Sequence, residues 1–519
     1  MEHTIAELQQ KMSTGELGSL QITVSFLERI HDLDAKVNSV IELNPDAQGI
    51  AAELDAERAA GRVRSPLHGI PLLIKDNIDT NDKMQTTAGS LALEGNFSPR
   101  DAFIVKQLRR AGAVILGKTN LSEWANFRGK RSVSGWSSRG GLTRNPYALD
   151  RSACGSSSGS GAAVAAGFCA AAVGTETDGS IICPSQTNGI VGIKPTLGLV
   201  SRSGIIPIAH SQDTAGAMTR TVADAAILLG ALTGADKNDS ATIASAKHAL
   251  KDYTRVLDKD GLKGARIGIA RNMCGTDVRV QELFGQSIFV MRKLGAIIVD
   301  PANLPNFNKF GKTEAEVLHY EFKADLNKYL SNTNARMKTM ADVIKFNVEN
   351  KAWVLPYFGQ EHMLAAQEKG SLRDKQYRAA LAKNHLLTRK TGIDAVIKKY
   401  RLDALIVPSG GPAWMIDLAN GDAINWDMVS TSPAAVAGYP HVTVPMGYIL
   451  GLPVGLSFFS KAWQEPTLIK FAYAFEQATM ARVAPKYLET VRLCNYYLCF
   501  SGDVGYSDGD VLVERLRPN

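Results

Sequence analysis

The sequence predicts an α/β protein with a single large mixed β-sheet flanked by helices. Segments with apolar residues at helical spacing alternate with short apolar runs of strand length along the chain. Composition is that of an ordinary globular protein, 45% hydrophobic and 21% charged. No internal repeat and no clean linker divides the 519 residues, so one domain is expected, although the length alone would allow two or three.

The elements follow in order. Ile5, Leu8 and Met12, then Ile22, Phe26, Ile30 and Leu33, recur at helical spacing on either side of Gly18. The run 68–74 reads as a short buried strand that delivers Lys75 at its end. Residues 101–111 predict a helix, 114–116 a strand and 121–127 another short helix. From 129 to 161 Gly, Ser, Arg, Asn and Pro dominate, which is loop chemistry, and a loop this long in a compact protein usually has a function. Residues 159–167 form a helix of small side chains that can pack its backbone close to neighbours. Further elements fall at 170–174, 189–193 and 221–232. Residues 265–270, 278–294 and 296–299 make a strand–helix–strand unit, 313–399 is helical and charged, and 402–407, 441–445 and 455–459 are buried strands. The closing helix, 466–482, begins on Pro466, where a missing N–H costs least.

Several function classes are set aside by composition. A formal charge of +7 is small for this length, and no dense Lys/Arg run or basic–aromatic interleaving marks a nucleic-acid track. Six cysteines (154, 169, 183, 274, 494 and 499) show no zinc-ligand spacing; sparse use of this kind suits a reducing compartment. The most apolar stretch, 161–174, is too short to span a bilayer. The N-terminus lacks a basic start followed by an apolar run. A cytoplasmic protein is therefore expected, with a periplasmic or secreted one open if a signal peptide was removed, and no metal, cofactor, nucleic acid or membrane is called for.

Three features carry chemistry together: Lys75 at a strand end, the run Cys154-Gly-Ser156-Ser157-Ser-Gly-Ser-Gly161, and Gly174-Thr-Glu-Thr177-Asp178-Gly179-Ser180. Serine needs an adjacent base to act as a nucleophile, and no histidine lies near either serine motif. Lysine can serve only when neutral, which requires burial or neighbouring positive charge. A second serine could bridge Ser180 to Lys75. Successive N–H groups from Thr177 through Asp178 and Gly179 to Ser180 could converge on one spot, as an oxyanion hole requires. Gly155-Ser-Ser-Ser-Gly159 also satisfies the nucleophile-elbow pattern, but a turn-rich approach stands where that motif needs a strand.

These motifs resemble the amidase signature family, with Lys75-Asp-Asn77, Thr87-Ala-Gly89, Gly117-Lys-Thr-Asn120, Gly192-Ile-Lys-Pro-Thr196 and Asp213-Thr214 falling in order. The resemblance implies the amidase signature fold over residues 1–488, with a core motif region at 66–235, a helical substrate-facing insertion at about 300–400, and a tail, 489–519, of unassigned role. It implies Lys75 as base, Ser156 as bridging serine on a cis peptide bond, and Ser180 as acylated nucleophile. Thr177, Asp178, Gly179 and Ser157 are expected in the oxyanion hole or against the substrate. The family commonly has Gly at 178 and Arg at 182, where this chain has Asp178 and Ile182. A carboxylate aimed into the hole would repel the oxyanion, so Asp178 is expected to turn its side chain away. The run 174–184, Glu42–Asp46 and Ser211–Gly216 are similar to the peptide amidase branch, which releases ammonia from C-terminal carboxamides. A monomer or homodimer acting on a small-molecule or peptide amide is the expected form. The alternatives are the glutaminase component of a tRNA-dependent amidotransferase, an amidase for fatty or aryl amides, and a non-catalytic amide binder.

Overall fold

The computed structural model describes residues 2–424 and 430–491; the expected tail lies almost wholly outside the described residues. Eleven strands form one sheet: β1 (Val40–Leu43), β2 (Pro71–Lys75), β3 (Val114–Thr119), β4 (Ala171–Glu176), β5 (Val191–Lys194), β6 (Thr214–Thr219), β7 (Arg266–Ile269), β8 (Ile297–Val299), β9 (Ala404–Pro408), β10 (His441–Ile449) and β11 (Leu452–Phe459). Their order across the sheet is β1-β3-β2-β4-β6-β5-β10-β11-β9-β7-β8. β2 runs parallel to both β3 and β4, whereas β4, β6, β5, β10, β11 and β9 pair antiparallel in turn. The sheet is thus large and mixed, as the alternating elements predict. Central strands such as β2 and β4 are buried at every position, which is why they read as continuous apolar runs rather than alternating ones.

The two N-terminal helices, α1 (Ile5–Ser13) and α2 (Ser19–Val37), bury Ile5, Leu8 and Met12 and then Ile22, Phe26 and Ile30. Thr4 and Glu7 close α1 with a reciprocal capping box. Helix α3 (Ser158–Ala165) is buried throughout. A Cβ on Gly159 would sit 2.3 Å from the Ser39 carbonyl oxygen and 2.5 Å from that of Asn120, so only glycine permits that approach. The other elements that shape the site are α4 (Ile182–Thr187), α5 (Gly311–Leu330), α6 (Ser432–Ala437) and α7 (Glu465–Thr479).

Three local expectations are corrected. Residues 121–127 hold no regular helix, because Trp124, Ala125 and Asn126 take left-handed backbone angles (φ 53°, 51° and 69°). Strand β6 and helix α4 have no counterpart among the sequence-predicted elements. Cys154 and Cys183 form a disulfide, where the sparse use of cysteine reads as suiting a reducing compartment; their 29-residue separation hides a pairing that the fold creates.

Candidate active site

Parallel neighbours β2 and β4 end at the same edge of the sheet, and the candidate residues gather there. Lys75, the last residue of β2, is wholly buried. Its Nζ donates to Ser156 Oγ (2.8 Å), Ser157 Oγ (3.0 Å), Thr175 Oγ1 (2.9 Å) and the Thr175 carbonyl (3.3 Å). Asn77 Nδ2 also donates to Thr175 Oγ1 (3.0 Å). Burial is the main force on the amine and lowers its pKa from 10.5 to about 7, although Glu176 and Asp213 pull it upward. The amine therefore becomes neutral near neutral pH and gains the lone pair that an ammonium lacks.

The two serines beside Lys75 are not equivalent. Ser157 Oγ donates to the Thr175 carbonyl (3.0 Å) and accepts from the Thr175 N–H (3.2 Å), so its proton is committed to the strand. The sequence places Ser157 in the oxyanion hole or against the substrate; in the structure it is wholly buried and ties the serine run to β4. Ser156 follows a cis peptide bond from Gly155 and has Lys75 as its side-chain partner. Its hydroxyl proton is free to travel.

Beyond Glu176 the chain turns through Thr177–Ser180. Gly179 carries φ +79°, and Ser180 lies 8% exposed at the wall of a cleft of about 400 Å³, a size suited to a small-molecule or peptide-end ligand. Around the turn, Gln212 Nε2 donates to the Thr177 carbonyl (3.2 Å) and Thr177 Oγ1 to Asp213 Oδ1 (2.6 Å). Glu176 Oε2 accepts from the Ile181 and Ile182 N–H groups (2.7 and 3.0 Å), and the Ser157 N–H donates to the Ser180 carbonyl (3.2 Å). Among the described residues the N–H groups of Thr177, Asp178, Gly179 and Ser180 have no protein acceptor. Four consecutive uncommitted donors at one cleft wall can stabilise a developing negative charge. The Asp178 carboxylate accepts from Thr431 Oγ1 at 2.6 Å. Among the described residues the Ser156 and Ser180 hydroxyls share no hydrogen bond; Ser156 is wholly buried, and its neighbour Gly155 lines the cleft together with Ser180.

The rest of the cleft is mostly apolar, with Phe127, Ile208, Leu318, Pro412, Trp414 and Ile424 in its wall. The sequence assigns this wall to segment 313–399, but among the described residues Leu318 is the one lining residue that segment supplies. Most of the wall comes from loops beyond strand ends, 125–127 and 409–414 among them, where ligand contacts commonly gather. The Cys154–Cys183 disulfide also lines the cleft and ties the segment before Ser156 to α4, two residues beyond Ser180. Neither that bond nor the roles of Thr175, Asn77 and Thr431 follow from the sequence. Thr175 stands within the run Gly174–Ser180, but only strand pairing brings it to Lys75.

Known amidases resemble the chain over nearly its whole length. A family model described as Amidase matches residues 21–469. The crystal structure of native peptide amidase from Stenotrophomonas maltophilia superposes with a TM-score of 0.89 at 50% identity, covering 94% of this chain and 99% of that one. An amidase-named protein of Arabidopsis thaliana is 40% identical over 497 residues, 94% of this chain and 92% of its own. A glutamyl-tRNA(Gln) amidotransferase component from Thermosynechococcus vestitus is 35% identical over 487 residues, 92% of this chain and 98% of its own. With a lysine, two serines and a row of free amides at one sheet edge, and with likeness running nearly end to end, the chain belongs to the amidase signature family and is an amide hydrolase.

Proposed function

We propose that the protein removes ammonia from the C-terminal carboxamide of peptides through a Ser180–Ser156–Lys75 relay. The observation that carries the reading is Lys75 buried at 2.8 Å from Ser156, with an amine that loses its charge near pH 7. Ser180 Oγ attacks the amide carbon as Ser156 takes its proton and passes its own to Lys75. The oxyanion is held by N–H groups of the Thr177–Ser180 turn, worth about 2.7–4 kcal/mol for each donor lost. The proton returns along the relay to the departing ammonia, and water repeats the cycle on the acyl-enzyme.

Support for a peptide substrate comes from the 50% identity to peptide amidase and from a largely apolar cleft with uncommitted backbone donors. The likeness to a tRNA-dependent amidotransferase component makes glutamine the necessary comparison substrate. No described helix is long and apolar enough to cross a membrane. The Cys154–Cys183 bond favours an oxidising compartment, so a periplasmic or secreted setting is the better reading than a cytoplasmic one. The working form is a monomer or homodimer.

The test is an ammonia-release assay on amidated peptides, glutamine and simple aliphatic amides, with fluorophosphonate labelling located by peptide mapping. The reading requires amidated peptides to be turned over fastest and Ser180 to carry the label. Label on another residue, or faster glutamine turnover, would overturn it.

A further inference from the structure

Strand pairing sets two side chains against the nucleophile turn. β4 and β6 pair antiparallel with Thr214 opposite Glu176, so one step beyond the ladder Asp213 comes opposite Thr177. There the carboxylate divides its oxygens. Oδ1 accepts from Thr177 Oγ1 (2.6 Å), and Oδ2 accepts from the N–H groups of Ile208 (2.9 Å) and Ala209 (2.8 Å). The neighbouring Gln212, only 2% exposed, donates from Nε2 to the Thr177 carbonyl (3.2 Å) and to Glu314 Oε1 (3.1 Å). A carbonyl oxygen can only accept, so the end of the Gln212 amide that faces Thr177 is its nitrogen.

The loop that carries both residues is itself held. The N–H groups of Gln212 and Asp213 return to the Ala209 carbonyl (3.0 and 2.8 Å). Those of His210 and Ser211 go to Asp325 Oδ2 (3.0 Å) and Glu321 Oε2 (2.9 Å) on α5. A loop pinned in this way can fix its partner rather than follow it.

Thr177 is thus gripped at its carbonyl and at its hydroxyl. In a planar trans peptide the C=O and the following N–H point in opposite directions. Holding the Thr177 carbonyl toward Gln212 therefore turns the Asp178 N–H away from Gln212. Among the described residues Thr177 and Asp178 line the cleft and Gln212 does not.

We propose that Gln212 and Asp213 are positioning residues for the oxyanion donors, a two-point clamp on Thr177 that aims the Asp178 N–H into the cleft. Without the clamp the 177–178 peptide can rotate about its flanking bonds, and a donor turned off the oxyanion contributes nothing to the transition state. Binding of the acyl portion to the apolar wall is left as it was, so the loss falls on kcat rather than KM. The proposal rests on Ser180 as the nucleophile and on the Thr177–Ser180 amides as the oxyanion donors.

Gln212→Met keeps the length of the side chain and removes its donor. Asp213→Asn exchanges one acceptor oxygen for a donor, so it can hold Thr177 or the loop N–H groups but not both. Thr177→Val keeps the shape of the side chain and cuts the same grip without touching the loop. The full-length variants are assayed on the amide that wild type turns over fastest, and titrated with two ligands bearing the same acyl group. One is the aldehyde, whose adduct with Ser180 carries an oxyanion; the other is the primary alcohol, which forms no adduct. Each variant should lose about tenfold or more in kcat, with KM nearly unchanged. Aldehyde affinity should fall by a similar factor while alcohol affinity holds. A smaller kcat loss in the Gln212 arm or in the Asp213–Thr177 arm, or alcohol affinity falling as far as aldehyde affinity, overturns the proposal. Ser180→Ala assayed alongside keeps the readings apart. An S180A that retains turnover defeats the nucleophile assignment, whereas an inactive S180A beside a Q212M as fast as wild type defeats only the clamp.

Discussion

The Ser157 hydroxyl gives its proton to the Thr175 carbonyl at 3.0 Å, which leaves Ser156 as the serine able to exchange one with Lys75. Adjacent, chemically identical side chains thus receive different tasks from strand geometry alone. Ser156→Ala is expected to lower kcat about 10²–10⁴-fold, the range lost with a proton-transfer group, while thermal unfolding changes little. Ser157→Ala strips a partner from the buried Thr175 N–H and is expected to cost about 1–3 kcal/mol of stability. Paired melting curves and steady-state kinetics distinguish the two.

Lys75 should impose the acidic limb of the rate profile. Its pKa in the folded protein is about 7 against 10.5 for the free group, so the amine loses its proton as pH rises through 7 and kcat rises with it. Lys75→Ala should lower kcat at neutral pH about 10³-fold and remove that limb. The linkage to stability has a definite sign. Between pH 7 and 10.5 the unfolded chain binds a proton that the folded one does not, so burial of this lysine costs stability, most at the lower end, and the cost fades as pH approaches 10.5. Lys75→Met should therefore melt higher than wild type at about pH 7 and lose the advantage at about pH 10.

Gly179 has φ +79°, and a Cβ there would stand 3.1 Å from Thr431 Oγ1. Gly179→Ala should cost about 1–2 kcal/mol of backbone strain and disturb the row of amide donors. A fall in kcat of about 10²-fold, the size of one lost oxyanion donor, with KM nearly unchanged, is the expected kinetic result.

Reduction of Cys154–Cys183 should destabilise the protein by about 3–4 kcal/mol, given the 29-residue separation it closes. Melting with and without a phosphine reductant measures this. The Cys154→Ser/Cys183→Ser double variant should match the reduced protein and show no further response to reductant.

Much of this is legible before any coordinates, for identifiable reasons. Strands such as Pro71–Lys75 and Ala404–Pro408 are buried on both faces, and the resulting apolar runs announce themselves. The lysine and the serines stand out because serine chemistry without histidine demands such a base. Strand β6, by contrast, is Thr-Ala-Gly-Ala-Met-Thr, small and weakly apolar, and its role becomes visible only between β4 and β5. Trp124, Ala125 and Asn126 sit in a polar–apolar pattern that passes for a helix turn, yet tertiary packing holds them at left-handed angles. Contacts such as Thr431 with Asp178 join residues 253 positions apart, and no local pattern encodes them.

The placement of Lys75 and the Thr177–Ser180 turn at the ends of two adjacent parallel strands has an evolutionary consequence. Their spacing is set by the pitch of a hydrogen-bonded ladder, about 4.8 Å between neighbouring chains, rather than by the length of any connection. Loops over the cleft can therefore lengthen, shorten or exchange their side chains to suit new acyl groups while the proton-handling centre keeps its dimensions. Such a division between an invariant engine and replaceable jaws lets a lineage diversify its diet without reinventing its chemistry.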